Sequence, residues 1–453
     1  MTQAHLAAPR LTSVEEARRI VLAQATTLGS ERARLEDGIG RVLAQDLVAE
    51  TSLPPFDNSA MDGYAIHSSD TAGASREQPV KLRLVGEVAA GEVRERAVSR
   101  GEAVKIMTGA PLPPGADSVV ALEEARLRSD GHQGQAEWPG SHRARHSVAA
   151  TMAATAPEPR RASGRGEQVE IFGEVPPGRH VRNVGEDIKT GEAALAAGTR
   201  IQLQHVGLLA SLGYAEVPVF RVPSVAVLAT GSELIEIGEA LAPGKIRNSN
   251  SLTLLTLLRG LGLRAADLGI VTDDYALIRR RLEDAARRDV VLISGGVSVG
   301  AHDLVKTVLR EMGMETLFWR VNMKPGKPLL FGRLRNSVIF GLPGNPISCV
   351  VCFSEFITPY VRKVMGEEHP THGLVHARLT QPLRKKEPKT LLLTAQLREE
   401  AGSLVVTPTP QQGSGMLSSL AQANAFIVVP EEVIQLEADE LVEVLPLGGE
   451  RCL

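Results

Sequence analysis

The chain is 453 residues long and carries a formal net charge of −3, with 50 Lys and Arg against 53 Asp and Glu. That length asks for about three domains, and that balance offers no general attraction to nucleic acid or to an acidic membrane surface. Three cysteines (Cys349, Cys352 and Cys452) exclude a disulfide scaffold and make a reducing cytoplasm the expected location, and no apolar run approaches the ~20 residues of a membrane span.

The N-terminus lacks the basic start and apolar core of a secretion signal. Thr12-Ser13 then precedes VEEARRIVLAQA, whose apolar spacing and early acids predict a capped amphipathic helix. From about Val42 to Val120, short runs broken by Gly and Pro (VKLRLVGEV, EAVKIM, DSVVAL) predict a compact β domain. Residues from about 128 to 168 are rich in Ala, Arg, Gly, Ser and Pro and keep no period. They bury too little apolar area to offset the entropy of ordering, which reads as a flexible insertion. Its His132, His142 and His146 have no acid or cysteine framework, so they read as solvated loop histidines rather than metal ligands. VEIFGEVPPGRHVRNVGEDI returns to strands and turns, and a helix-like HVGLLASLG follows.

Near Pro223 the pattern becomes alternating strand and helix: SVAVLAT, DVVLISGG and SVIFGLPG are separated by segments such as YALIRRRLEDAARR. This predicts a parallel sheet covered on both faces, with ligands beyond the C-terminal ends of its strands. After about Gly366, LLLTAQLR, SLVVTP, AFIVVP and DELVEVLPL predict a small terminal β domain. The fold class is thus multidomain α/β plus β, with a central parallel-sheet domain.

Four segments fall where that sheet presents its loops. AVLATGSEL runs from a strand into a turn carrying Glu233. DVVLISGGVSVGAHD ends a buried strand in Gly295-Gly296, with Ser294 and Ser298 nearby and Asp303 opening the next helix. Such a turn brings amides close to an anion, or is simply a tight structural turn, and it matches neither the dinucleotide fingerprint nor the P-loop. Lys324-Pro325-Gly326-Lys327-Pro328 is a stiff cationic loop whose prolines aim both charges, which suits an oxyanion or phosphate. GLPGNPIS, with Pro343 and Pro346 around Gly344-Asn345, opens a helix and offers its terminal amides and one amide side chain, or serves as a rigid connector. Glu233, Asp273 and Asp303 come from three strand ends, as a phosphate-bound Mg²⁺ requires. Asp303 also suits a helix cap, as does Asp274 beside Asp273. Cys349 and Cys352 sit in an apolar helical segment without a second ligand pair and read as buried thiols. Asp57 and Asp62 in PPFDNSAMDGYA, and Thr108-Gly109 in KIMTGAPLPPGAD, read locally as turns.

In their order, FDNSAMDGYA, MTGAPLPPGAD, GED, TGSEL, SGGVSVG, KPGKP, GLPGNP and GSGMLSSLAQAN resemble the molybdopterin molybdenumtransferase family, bacterial relatives of the gephyrin E domain. The resemblance covers nearly the whole chain outside the insertion. It implies an elongated N-terminal domain (1–57 and 171–222), a small β domain (58–170), a molybdopterin-binding-like α/β domain (223–367) and a C-terminal β domain (368–453). It implies a homodimer with the active site in a cleft between subunits, and a Mg²⁺-dependent reaction of adenylylated molybdopterin with molybdate that releases AMP and molybdenum cofactor. The implied site takes molybdate at Lys324, Lys327 and Ser298, pyrophosphate at Gly295 and Gly296, and Mg²⁺ near Glu233, Asp273 and Asp303. Asp62, Thr108 and Asp187 reach across the dimer, and Pro343 and Pro346 shape the cleft. A molybdopterin adenylyltransferase and acceptor molybdoenzymes are the implied partners, with no nucleic acid and no membrane.

The chain departs from the family pattern at several places. VRNV before GED keeps only Arg182; Ala301-His302 precede Asp303 where an acid is common; Asn248 stands at an acidic position; Arg320 replaces a frequent lysine. KTLLLTAQL lacks the usual Arg and acid, which speaks against Lys389 and Ser418 as site residues. A lone adenylyltransferase domain is disfavoured by the residues that precede the sheet domain, and a non-catalytic scaffold by the intact acids and lysines.

Overall fold

The computed structural model describes residues 11–128, 166–297, 304–371 and 373–447; Ser298, Asp303, Ala301-His302, Cys452 and nearly all of the segment read as an insertion lie outside them. The chain divides into two compact units, one made of Leu47–Leu195 and Leu208–Gly213 and the other of the remainder.

The first unit is built on a six-stranded sheet of β1 (Gly63–Ile66), β2 (Val80–Val88), β3 (Glu102–Ile106), β4 (Ser118–Ala121), β5 (Ala125–Arg128) and β6 (Gln168–Ile171). Its order is β4-β1-β3-β2-β6-β5, antiparallel except for β2 beside β3. Alternation along β1 sends Tyr64 and Ile66 into one apolar cluster and Ala65 into another, as the two-residue period of a strand requires.

In the other unit the expected helix is α1 (Val14–Ala23), capped by Ser13, whose Oγ accepts the Glu16 N–H at 3.1 Å. Val14, Ala17 and Val21 of α1 join the core of the sheet domain. That domain holds β7 (Val225–Thr230), β8 (Ala265–Val271), β9 (Val290–Ser294), β10 (Glu315–Trp319), β11 (Leu330–Leu334) and β12 (Ser337–Leu342), in the order β8-β7-β9-β12-β11-β10. Neighbours among β8, β7, β9 and β12 run parallel, as the apolar runs predict. β11 and β10 do not: β11 forms a hairpin with β12, and β10 pairs antiparallel with β11. The hairpin turns at Arg335-Asn336, with Arg335 at φ 57°, as a two-residue turn between twisted strands demands. Both faces are covered. Val225, Val227 and Leu292 point into one cluster, Ala226, Leu228, Val291 and Ile293 into the other.

Beyond Gly366, β13 (Val375–Leu379), β14 (Thr390–Glu400), β15 (Ser403–Pro408), β16 (Ala425–Val429) and β17 (Leu441–Pro446) close into a barrel in the order β14-β15-β13-β17-β16, with β16 returning to β14. Closure removes the open edges that would otherwise invite further strands. A sixth, two-residue strand comes from the sheet domain: Met323–Lys324 pairs parallel with Thr390 and Leu391. No helix among the described residues is long and apolar enough to cross a membrane.

Candidate functional site

The C-terminal ends of β7, β9 and β12 are locked together by close backbone approach. A Cβ on Gly295 would lie 2.3 Å from the Thr230 carbonyl oxygen, and one on Gly296 2.4 Å from Val305 Cγ2. Their φ values are +91° and +63°, so glycine is required here by backbone conformation and by packing together. The Gly295 N–H donates to Leu342 O at 3.1 Å. Asn250, on α2 (Ser249–Gly260), completes the joint: its Nδ2 donates to Ser294 Oγ at 2.9 Å and to Gly344 O at 2.8 Å. Asn248 caps the same helix, accepting the Ser251 N–H, so the departure at this position has a structural use.

Glu233 and Asp273 flank one turn. Glu233 folds its carboxylate back over Gly231. Asp273 and Ser232 exchange hydrogen bonds, Ser232 N–H to Asp273 Oδ2 and Asp273 N–H to Ser232 Oγ, both at 3.1 Å. Lys245 Nζ donates to Ser232 O at 2.5 Å. Asp274 caps α3 (Tyr275–Ala285) by accepting the Leu277 N–H. Both site carboxylates are exposed. Among the described residues no three His, Cys, Asp or Glu side chains group as a metal site; the third acid of the expected set, Asp303, lies outside them. The two hard oxygen donors suit Mg²⁺, which takes few protein ligands and keeps several waters.

The lysine loop and the Pro-Gly-Asn-Pro turn meet the barrel at a cavity of about 310 Å³. Lys324, Lys327, Asn345, Ser348, Thr394, Gln412 and Ser414 supply its polar lining. Asn345 Nδ2 donates to Ser414 Oγ at 3.0 Å, and the Ile347 N–H to Ser414 O at 3.1 Å. Beneath the loop, Cys352 Sγ lies 3.7 Å from Gly326 O as a weak donor. Cys349 and Cys352 are both buried and free; burial pushes the Cys349 thiol up to about 12 and raises that of Cys352 as well. They are packing thiols, as expected. Glu387 pairs with Lys389. That hydrogen bond, together with the charges of Lys389, Lys324 and Lys327, holds the Glu387 carboxyl below its usual range.

In the first unit the two motifs that read locally as turns bond to each other and to the strand before GED. Asn58 and Ser59 pair antiparallel with Arg182 and Val181. Ser59 N–H donates to Ala110 O, and Gly109 N–H to Ser59 O. Asp57 Oδ1 accepts the Val184 N–H at 2.7 Å. Thr108 donates its N–H and its hydroxyl to Asp62 Oδ1 at 2.7 and 2.8 Å; these two bonds, with Lys105 nearby, hold the Asp62 carboxyl below its ordinary value. Asp187 is exposed, its N–H on Leu53 O.

Several residues escape a reading of the sequence. Asn250 acts across 94 positions, a relationship no local pattern encodes. Thr394, Gln412 and Ser414 enter the cavity from the barrel; the GSGM motif is their nearest signal. Trp319 carries none.

The chain matches three family models: "MoeA N-terminal region (domain I and II)" over residues 12–213, "Probable molybdopterin binding domain" over 226–363 and "MoeA C-terminal region (domain IV)" over 376–447. The fold is thus that of a multidomain molybdopterin-biosynthesis protein. A molybdopterin biosynthesis MoeA protein from Pyrococcus horikoshii superposes with a TM-score of 0.77 at 30% identity, covering 96% of this chain and 99% of that one. The molybdopterin molybdenumtransferase of Bacillus subtilis is 33% identical over 93% of this chain and 90% of its own length. Molybdopterin molybdenumtransferase 2 of Mycobacterium tuberculosis is 34% identical over 96% of this chain and 100% of its own. The chain belongs to the molybdopterin molybdenumtransferase family, transferases of molybdenum cofactor biosynthesis.

Proposed function

We propose that this protein inserts molybdenum from molybdate into adenylylated molybdopterin, cleaving the adenylate and releasing AMP and molybdenum cofactor. The observation that carries the reading is the cavity where Lys324 and Lys327 face Asn345, Thr394 and Gln412. Two cations on a proline-stiffened loop, joined by amide and hydroxyl donors, suit a tetrahedral dianion. Lys324, Lys327 and Ser298 bind molybdate. The Gly295-Gly296 turn brings backbone close to the pyrophosphate, with the Gly295 N–H itself engaged by Leu342 O, and Pro343, Gly344 and Pro346 shape the wall. Glu233, Asp273 and Asp303 would hold Mg²⁺, which when bound neutralises charge on the phosphoanhydride.

Asp62, Thr108 and Asp187 complete the site from the second subunit of a homodimer. Supporting this are the paired hydrogen bonds from Thr108 to Asp62 and the exposure of all three side chains. A molybdopterin adenylyltransferase supplies the substrate in the cytoplasm, and molybdoenzymes receive the product. The test is to mix the purified protein with adenylylated molybdopterin, Mg²⁺ and molybdate. AMP release dependent on molybdate is expected; no AMP under conditions where a known transferase works overturns the reading.

A further inference from the structure

At the base of the lysine loop the Trp319 indole is held against two cations. Lys306 Nζ lies 3.6 Å and Arg320 Cζ 4.0 Å from its ring centroid. Trp319 is tied to the glycine turn, its Nε1 donating to Val297 O at 3.4 Å. Arg320 follows the end of β10 and opens the loop: its N–H donates to Leu329 O, and the Val321 N–H to Lys327 O. Its φ of +76° is a conformation that long side chains rarely adopt. The Arg320 Nε is buried without a partner, and no hydrogen bond or ion pair engages its guanidinium among the described residues.

An arginine kept for the fold normally places its donors on carboxylates or carbonyls, because leaving them unmatched out of water is costly. Stacking uses only the face of a guanidinium and leaves its in-plane fork of N–H donors for a planar, two-point partner, which phosphate oxygens provide. The indole neighbour of Arg320 bonds the glycine turn and the arginine's own backbone opens the lysine loop, both already assigned to anions, while Thr12 donates its N–H to the Arg320 carbonyl from the other side.

We infer that Arg320 is a phosphate-binding residue, oriented by Trp319, that takes a phosphate oxyanion of the substrate while the lysine loop takes molybdate. The identity of the substrate rests on the molybdenum-transfer reading; the anion chemistry at Arg320 does not.

The chain has two tryptophans, so Trp138→Phe leaves Trp319 as the only indole emitter. The full-length protein carrying this change is titrated with inorganic pyrophosphate at fixed ionic strength and, separately, with molybdate, with affinities taken by calorimetry. Pyrophosphate is expected to shift Trp319 emission saturably. Adding Arg320→Met should weaken pyrophosphate at least tenfold and leave molybdate within twofold, which also shows the variant is folded; Arg320→Lys should fall between. Lys324→Ala should weaken molybdate instead. Pyrophosphate affinity unchanged in Arg320→Met, or no saturable response in the parent, overturns the inference. If AMP release persists alongside that result, the molybdenum-transfer reading survives it. If AMP release is absent while both titrations behave as described, the phosphate site stands and that reading falls.

Discussion

Thr108 gives both of its donors to a single oxygen of Asp62, the N–H at 2.7 Å and the hydroxyl at 2.8 Å. The acid thereby stays ionised and aimed without being buried. It belongs to FDNSAMDGYA and the threonine to MTGAPLPPGAD, so one contact accounts for two motifs that make no sense apart.

Replacing Thr108 with Val removes the hydroxyl donor and keeps the backbone one. The Asp62 carboxyl, held below its ordinary value by those bonds, should titrate higher; Thr108→Ser should leave it in place. Carbon-detected NMR of the Asp62 carboxyl reads this directly. Because the folded value is depressed, its stabilising effect is present above the unfolded value near 4 and is lost as pH falls through the folded value. The stability difference at neutral pH should be small, about 0.5–1 kcal/mol. An unchanged titration would show that the backbone bond alone suffices.

Asn250 joins the end of β9 to the Pro-Gly-Asn-Pro turn. Asn250→Leu leaves the Ser294 hydroxyl and the Gly344 carbonyl without this donor in a buried setting, at a cost of about 2–3 kcal/mol. Urea denaturation should show a lower midpoint at constant slope. A midpoint equal to that of the parent protein would mean the two acceptors find water.

Gly295→Ala should destabilise the protein by about 2–4 kcal/mol, from a positive φ combined with a backbone clash. The same substitution at exposed Gly344, where a Cβ meets nothing within 4 Å, should cost under about 1 kcal/mol. Thermal melts of the pair separate packing need from local flexibility. Equal melts would remove the close approach as the reason for the glycine.

Lys324 and Asp273 are exposed, so Lys324→Ala and Asp273→Ala should both stay folded. Each should lower AMP release by about a hundredfold, as the loss of about 3 kcal/mol of charged contact implies. Full turnover in either variant removes that residue from the site.

The native protein should resist alkylation at Cys349 and Cys352, since burial raises both thiols. Peptide mapping after iodoacetamide at pH 8 should find these two modified only once denaturant is present. Labelling of Cys352 in native protein would mean that the loop above it opens.

Legibility in the sequence followed the range of the interactions. Ser13 and Asp274 were readable as caps because a cap and its amide lie three residues apart. The parallel core of the sheet was readable from its apolar runs, yet β11 was hidden: FGRL reads as an ordinary connection until its hairpin with β12 is seen. The lysine loop was legible by its prolines. Its neighbours from the barrel were not, since Gln412 and Thr394 approach it only through tertiary packing. Arg320 was noticed only as a departure from a family habit; its meaning depends on the indole beside it.

Met323–Lys324 is both the first part of the lysine loop and an edge strand of the terminal barrel. Inheritance therefore acts on the charge of the cavity from a distance. A substitution at Thr390, outside the cavity lining, that shifts the register of β14 would displace the Lys324 ammonium while touching no ligand, so variation in the barrel can retune anion preference without altering a single lysine.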